Sequence, residues 1–267
     1  MAVAQASARA AEAAICNGDM QGHHSIRGVV QCRNLKLPKL IKGRLVQRYK
    51  RFLADVELAD GSVVVAHCPN PGSMKTMKEP GSEVWLSPSN NPKRKLAYTW
   101  ELIRSEAGLT LVHTGRANAI AQEALETGVI SELRGFSALR AEVRYGEKSR
   151  IDFCLDFEAG PCFVEVKNVT MFDGPGRAAF PDSVTARGTK HLHELMKMVA
   201  EGQRAVLLFC CSRAGTTSIR PADEIDPVYG AALREAVRAG VEVLAYACDV
   251  SIDEVVMRAP VPVMLQP

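Results

Sequence analysis

Asp152, Glu165 and Lys167 are the residues whose types and spacing offer the most chemistry in this chain. They lie in two strand-like runs, Ser149–Phe157 and Cys162–Thr170, joined by Glu158-Ala159-Gly160-Pro161, which reads as a four-residue hairpin loop. The simplest register pairs Phe157 with Cys162, and therefore Asp152 with Lys167 and Cys154 with Glu165. Side chains alternate between the faces of a strand. One face then collects Ile151, Phe153, Leu155, Phe157, Cys162, Val164 and Val166, and the other Asp152, Cys154, Asp156, Phe163, Glu165 and Lys167. A one-residue slip would mix the two sets, so the pattern fixes which residues share a face. Two neighbouring carboxylates raise each other's pKa. A hard divalent cation such as Mg²⁺ or Mn²⁺ relieves that repulsion and prefers oxygen ligands. A lysine beside it can orient or help deprotonate an attacking water, or steady the charge on a phosphate. Glu123, on the preceding helix, is a further acid expected to reach the same place.

An Asp followed on the next strand by Glu-x-Lys is the pattern of the PD-(D/E)XK nucleases. The plainer alternative is a solvated hairpin face, since such faces routinely carry Asp, Glu and Lys. Two features favour chemistry. The sheet of such a domain is covered on both sides, and one helix precedes these strands while another follows them, as in that nuclease core.

The following helix opens with Phe180-Pro181-Asp182-Ser183-Val184-Thr185-Ala186-Arg187-Gly188-Thr189-Lys190-His191. Asp182 or Ser183 is the expected cap, and a helix N-terminus points free N–H groups at anions. Arg187, Lys190, His191 and Glu194 fall at three- and four-residue spacing and share a face, which is what a phosphate beside a metal site needs. An amphipathic helix with this face in water is the alternative. A third cluster, Arg48-Tyr49-Lys50-Arg51-Phe52, interleaves cations with aromatics, which suits phosphate contact and base stacking; solubility charges on an edge strand are the alternative. Arg48, Lys50 and Arg51 are the expected strand-holding residues. His67-Cys68-Pro69-Asn70-Pro71-Gly72-Ser73-Met74 reads as a braced loop; no second His/Cys pair completes a metal tetrahedron with His67 and Cys68.

The elements around these residues fall into two grammars. Residues 40–116 read as about five short strands with polar loops, including an Asp60-Gly61 hairpin, and suggest a small closed barrel such as an OB-fold. Residues 117–267 read as helix, three strands, helix, strand, helix, strand, an α/β domain with a mixed sheet. Asn118–Thr127 is the first of these helices, with Asn118 as cap and Gly128 as stop. Residues 1–39 read as a flexible extension. Residues 40–117 carry 12 Lys/Arg against 7 Asp/Glu, and residues 118–267 carry 16 against 21. A basic half joined to an acidic half suits a polyanion partner. No apolar run approaches the ~18 residues of a membrane span. The eight cysteines include no C-x-x-C pair, and several sit in apolar runs, as expected of reduced thiols in the cytoplasm.

These residues carry a resemblance. RYKRFLADV (48–56), HCPNPGSM (67–74), Trp100-Glu101-Leu102, SRIDF (149–153), FVEVKNVT (163–170) and FPDSVTARGTKHLHEL (180–195) together resemble the sugar fermentation stimulation protein A (SfsA) family over residues 40–267. Pro71, Ala186 and Asn168 depart from that pattern, where Thr, Glu and Ser are usual or common. The resemblance implies an OB-fold barrel ahead of a PD-(D/E)XK-like domain, with sequence-tolerant nucleic-acid binding, DNA ahead of RNA. One expectation is a Mg²⁺-dependent nuclease using Asp152, Glu165, Lys167 and Glu123, with Arg187, Lys190 and His191 on the phosphate. The other is a non-catalytic DNA-binding regulator linked to maltose metabolism. The oligomeric state stays open, with a dimer among the options.

Overall fold

Alternating apolar positions in residues 41–111 build six strands: β1 (Ile41–Tyr49), β2 (Leu53–Leu58), β3 (Val63–His67), β4 (Glu83–Pro88), β5 (Tyr98–Ser105) and β6 (Gly108–Leu111). The computed structural model describes residues 36–106, 108–145 and 149–266. β3-β2-β1-β4-β5 pair antiparallel in that order, and a short parallel pairing of β3 with β5, Ala66 to Tyr98 and His67 to Thr99, closes the barrel. Leu45, Ala54, Val56, Ala66, Val84, Leu86 and Trp100 fill its interior. The five-stranded closed barrel expected from the sequence is therefore present.

One expectation within it is corrected. Lys50, Arg51 and Phe52 do not continue a strand; they are the turn between β1 and β2, with Tyr49 paired to Leu53. Lys50 (φ 45°) and Arg51 (φ 64°) both occupy the left-handed region. That conformation is unusual for non-glycine residues, so no turn signal marks it in the sequence.

The second half contains α1 (Ala117–Glu126), β7 (Ala138–Tyr145), β8 (Ser149–Phe157), β9 (Gly160–Val169), β10 (Met171–Phe172), β11 (Arg177–Phe180), α2 (Ala186–Ala200), β12 (Arg204–Cys211), β13 (Ser218–Pro221), α3 (Pro227–Arg238), β14 (Glu242–Val250) and β15 (Val255–Pro260). Its main sheet runs β15-β14-β12-β9-β8-β7. The central β9–β12 and β12–β14 pairs are parallel and the outer pairs antiparallel. One face packs on α1 through Phe153, Leu155, Val164 and Leu208; the other packs on α2 and α3 through Leu207, Phe209, Leu192, Leu195 and Leu233. This is the mixed α/β sheet expected. Between the third strand and the second helix lie two strands that the sequence pattern does not announce, β10 and β11, which form a small sheet with β13. β15 was also not anticipated.

The described residues form one compact unit. Arg116, the residue before α1, donates to buried Glu101 of β5 at 2.6 and 2.7 Å, and Ser87 donates to the same carboxylate. This buried ion pair fixes the start of α1 against the barrel. β6 continues the contact: Leu111 N–H donates to Ser212 O and Ala214 N–H to Leu109 O, both at 2.9 Å. Within the expected extension, Lys36 forms a bridge with Glu254, and Leu37 is buried with its N–H on Asp253 O. Residues 36–39 therefore belong to the folded body, while the Ala-rich start lies outside the described residues. Cys68, Cys154, Cys162, Cys210, Cys211 and Cys248 are all buried free thiols. Among the described residues no helix is long and apolar enough to cross a membrane.

Candidate active site

The hairpin that carries Asp152 and Glu165 is tighter than the sequence suggested. Phe157 pairs with Gly160 and Leu155 with Cys162, so Glu158-Ala159 alone form the loop. Gly160, at φ 123°, supplies the backbone angle that this short turn requires. The shift from the expected register is two residues, an even number, so alternation is kept along the regular part of the ladder from Phe153 to Phe157. Continuing from the Phe153–Val164 pair, Asp152 stands opposite Glu165, and not opposite Lys167.

Ile151 departs from the expected faces. It packs with Val143, Tyr145 and Leu192 on the α2 side, away from Phe153 and Leu155. The cause lies next door on β7. The ladder pairs Ala141 with Phe153 and Val143 with Ile151 but skips Glu142 and Asp152, and Glu142 has φ 54°. The ladder is interrupted on the other side as well, where the Asp152 carboxylate accepts the Val166 N–H at 2.7 Å. Its second oxygen accepts from the Asn118 side chain at 2.8 Å. Asn118 is thus a site residue in the first turn of α1 and not the helix cap; Arg116 occupies that position. Gly128, φ 70°, ends the helix as expected.

Glu165 is buried. One of its oxygens accepts from Lys167 Nζ at 2.5 Å and from His191 Nδ1; the other is buried without a hydrogen-bond partner. Arg187 Nε donates to His191 Nε2 at 3.3 Å. Nε2 then accepts, while Nδ1 faces both the Glu165 carboxylate and, at 3.3 Å, Lys167 Nζ. Burial pushes the Glu165 carboxyl up, but the His191 hydrogen bond and the Lys167 charge outweigh it and hold the pKa below the usual value. Asp152 goes the other way. Burial and the nearby Glu165 charge raise its pKa, and the bonds from Val166 and Asn118 offset this only in part. The two acids therefore sit in opposed electrostatic settings, a common arrangement where carboxylates do chemistry.

A cavity of about 500 Å³ opens over them, lined by Glu142, Arg150, Asp152, Glu165, Arg187, Lys190 and His191. The face of α2 that carries Arg187 and Lys190 is turned onto this cavity. Thr185, not Asp182 or Ser183, caps the helix by accepting the Gly188 N–H. Asp226 accepts both the Thr185 N–H and the Tyr229 N–H, which ties the start of α2 to the start of α3.

Three expected site residues are placed differently. His191 is buried against Glu165 and is not an exposed phosphate contact. Glu123 lines a separate groove with Val129, Val256 and Arg258, because its position on α1 turns it toward β15. Arg48 donates to the carbonyls of Asn70, Gly72 and Ser73 at 2.9 to 3.3 Å. It braces the 67–74 loop, which the sequence predicted to be braced. Lys50 and Arg51 are exposed on their turn. Glu142, Arg150 and Asn118 are the site residues that the sequence did not reveal, and no local pattern marks them.

A second cavity, about 380 Å³, lies between the 70–72 loop and residues 179–185. Ser73 Oγ donates to Asp182 O at 2.5 Å, and Met74 N–H donates to the Asp182 carboxylate at 3.2 Å. Pro71 and Asn168, two of the three departures from the family pattern, line this cleft.

Two family models match the chain: "SfsA N-terminal OB domain" over residues 46–112 and "Sugar fermentation stimulation protein RE domain" over residues 115–254. The sugar fermentation stimulation protein homolog of Maricaulis maris (strain MCS10) is 57% identical over 233 residues, spanning 86% of this chain and 99% of its own length. That of Pseudomonas fluorescens (strain Pf0-1) is 55% identical over 231 residues, 85% of this chain and 98% of its own. Among solved structures, Pyrococcus furiosus SfsA in complex with Ca²⁺ superimposes with a TM-score of 0.78 at 25% identity, covering 86% of this chain and 98% of that one. The barrel followed by a mixed-sheet domain, the two matched models and relatives this similar along nearly their full length place one conclusion beyond the site itself: the chain belongs to the sugar fermentation stimulation protein (SfsA) family.

Proposed function

We propose that this protein is a divalent-cation-dependent phosphodiesterase acting on nucleic acid in the cytoplasm, DNA ahead of RNA, with little sequence preference. The observation that carries the reading is the buried, unpartnered carboxylate oxygen of Glu165, beside an Asp152 held at a raised pKa, in a cavity whose other wall is Arg150, Arg187 and Lys190. A buried carboxylate oxygen without a donor is costly unless something positive meets it. Two carboxylates fit Mg²⁺ or Mn²⁺, since a small hard cation takes one or two carboxylates and fills its remaining positions with water and phosphate oxygens. The Ca²⁺ complex of the Pyrococcus relative supports an oxygen-ligand site of this kind.

In this reading Asp152 and Glu165 hold the cation, which when bound lowers the pKa of water and offsets phosphate charge. Lys167 orients the attacking water and steadies the phosphate charge. His191 keeps the Glu165 carboxylate aimed. Arg187, Lys190 and Arg150 meet the phosphate. Glu123 is left out, because it lines another groove. Residues 40–116 hold the strand, through Lys50 and Arg51 on the exposed turn, and residues 117–267 cut it. The family's OB barrel supports nucleic-acid holding, a recurrent use of that fold.

A second reading, a DNA-binding regulator that does not cut and is linked to sugar use, is favoured by one feature. One Glu165 oxygen is already occupied by Lys167 and His191. Cleavage of labelled single- and double-stranded DNA and RNA, in Mg²⁺, Mn²⁺ or EDTA, separates the two readings. Metal-dependent cutting that disappears in Asp152→Ala and Lys167→Ala is the outcome expected of the nuclease. Binding without cutting on every substrate in every metal supports the regulator.

A further inference from the structure

The cleft between the barrel and the second half is polar where no protein group answers it. Asn70 is 3% exposed, and its Oδ1 accepts the Gly72 N–H at 2.9 Å. That bond fixes which end of the amide is which. Asn70 Nδ2 is then a buried donor with no acceptor. Asn168 repeats the situation: its Oδ1 is bonded to Ser212 Oγ at 2.5 Å, and its Nδ2 is buried without a partner. Both residues line the cleft, and Arg51 reaches it from the β1–β2 turn. The one carboxylate in the lining, Asp182, is held by the Met74 N–H.

Buried donors left unmade each cost about 1–3 kcal/mol, and two of them in one cavity call for a ligand rich in acceptors. A cation at the mouth calls for negative charge. Met171, Phe180 and Pro181 supply an apolar wall against which a planar ring can lie. The volume, about 380 Å³, is near the lower end of the roughly 300–1,000 Å³ of small-ligand sites, enough for one nucleotide and too little for a stack. The cleft and the acidic cavity share no lining residue but draw on neighbouring residues of the chain. Lys167 contacts Glu165 there, while its neighbour Asn168 lines the cleft; Thr185 lines the cleft, while Arg187 lines the cavity.

We propose that this cleft holds a single unstacked nucleotide, its base against Phe180 and Met171 and its acceptors on Asn70 and Asn168. The proposal rests on the nucleic-acid reading above. It makes the protein a reader of single-stranded or locally opened nucleic acid, since a paired base is not free to enter.

The test uses the full chain in EDTA and short single-stranded oligonucleotides, each carrying one 2-aminopurine at a different position. Anisotropy reports binding and 2-aminopurine fluorescence reports unstacking. The expected result is a fluorescence rise at one position on binding, with single strands preferred over the matched duplex. Asn168→Ala and Arg51→Gln are each expected to abolish the rise and weaken single-strand binding roughly three- to tenfold. Arg51→Gln changes an exposed turn residue, so a folding defect in Asn168→Ala does not blunt the test. Oligonucleotide binding with no position-dependent rise, or a rise and affinity unchanged in both variants, overturns the cleft proposal and leaves nucleic-acid binding standing. Absence of binding to any oligonucleotide overturns both.

Discussion

Lys167 donates to one oxygen of Glu165 at 2.5 Å while the other oxygen of the same carboxylate stays buried and unpartnered. Lys167 therefore acts on Glu165 electrostatically while leaving half of the carboxylate available. Removing the lysine leaves a buried acid that only His191 supports. Lys167→Met is expected to destabilise the protein by about 2–4 kcal/mol, as for other broken buried ion pairs, read as a lower urea midpoint at pH 7. The deficit is expected to shrink as the pH falls. Glu165 has a lowered pKa when folded, so its contribution is present above the ordinary glutamate value and is lost as the pH drops through its folded one.

Asp152 predicts the opposite sign. Its carboxyl has a raised pKa in the folded protein, so the folded state gains from its protonation at low pH and loses that gain as the pH rises from the unfolded value through the folded one. In EDTA, Asp152→Asn is expected to have a higher urea midpoint than the wild type at pH 7, with the difference vanishing in acid. With Mg²⁺ or Mn²⁺ the order reverses. The cation is expected to raise the melting temperature of the wild type, as a ligand of the folded state does, and not that of Asp152→Asn. Differential scanning fluorimetry across pH and metal concentration checks both halves.

Glu123→Gln is expected to leave that metal-induced shift intact, because Glu123 lines a groove with Val256 and Arg258 and is absent from the lining of the acidic cavity. A shift lost in Glu123→Gln would bring this acid back into the site.

These three carboxylates show how far the sequence could be read. The nearness of Asp152, Glu165 and Lys167 was legible only in part: alternation survived a two-residue error in register from Phe153 to Phe157 but broke at Asp152, whose carboxylate reaches Asn118 of α1 while Glu165 reaches His191 of α2. Glu123 was misplaced because a helix position gives a distance along the chain but no direction until the packing against β15 is known. Asn118 looked like a cap for the same reason. The buried state of His191 was hidden by its exposed neighbours Arg187 and Lys190, which share its helix face. The Lys50–Phe52 turn carried no glycine, asparagine or proline to announce it. By contrast, Asp60-Gly61 did announce its turn, and Gly61 has φ 81°.

Arg48→Met is expected to act on the 67–74 loop more than on any phosphate. Loss of its three carbonyl contacts should cost about 1–3 kcal/mol of stability. Lys50→Ala is expected to leave the urea midpoint within about 0.5 kcal/mol while lowering nucleic-acid affinity and the steepness of its salt dependence. Paired denaturation and anisotropy titrations separate the two residues.

Gly72 is the point of closest approach at the cleft. A Cβ there would stand 2.2 to 2.6 Å from the Asp182 carboxyl group. Gly72→Ala is expected to cost about 1–3 kcal/mol. Because Asp182 is the group it meets, Asp182→Ala in the same chain should recover part of that loss, and a double-mutant cycle would measure the coupling.

The backbone bonds from β6 to residues 212–214 also bear on solubility. Leu109 and Leu111 lie on a barrel-edge strand whose outward N–H and C=O groups are satisfied only by the other half of the protein. A barrel expressed alone would display an open strand edge carrying two leucines, the kind of surface that pairs with copies of itself. The join that sets the two halves also covers that edge.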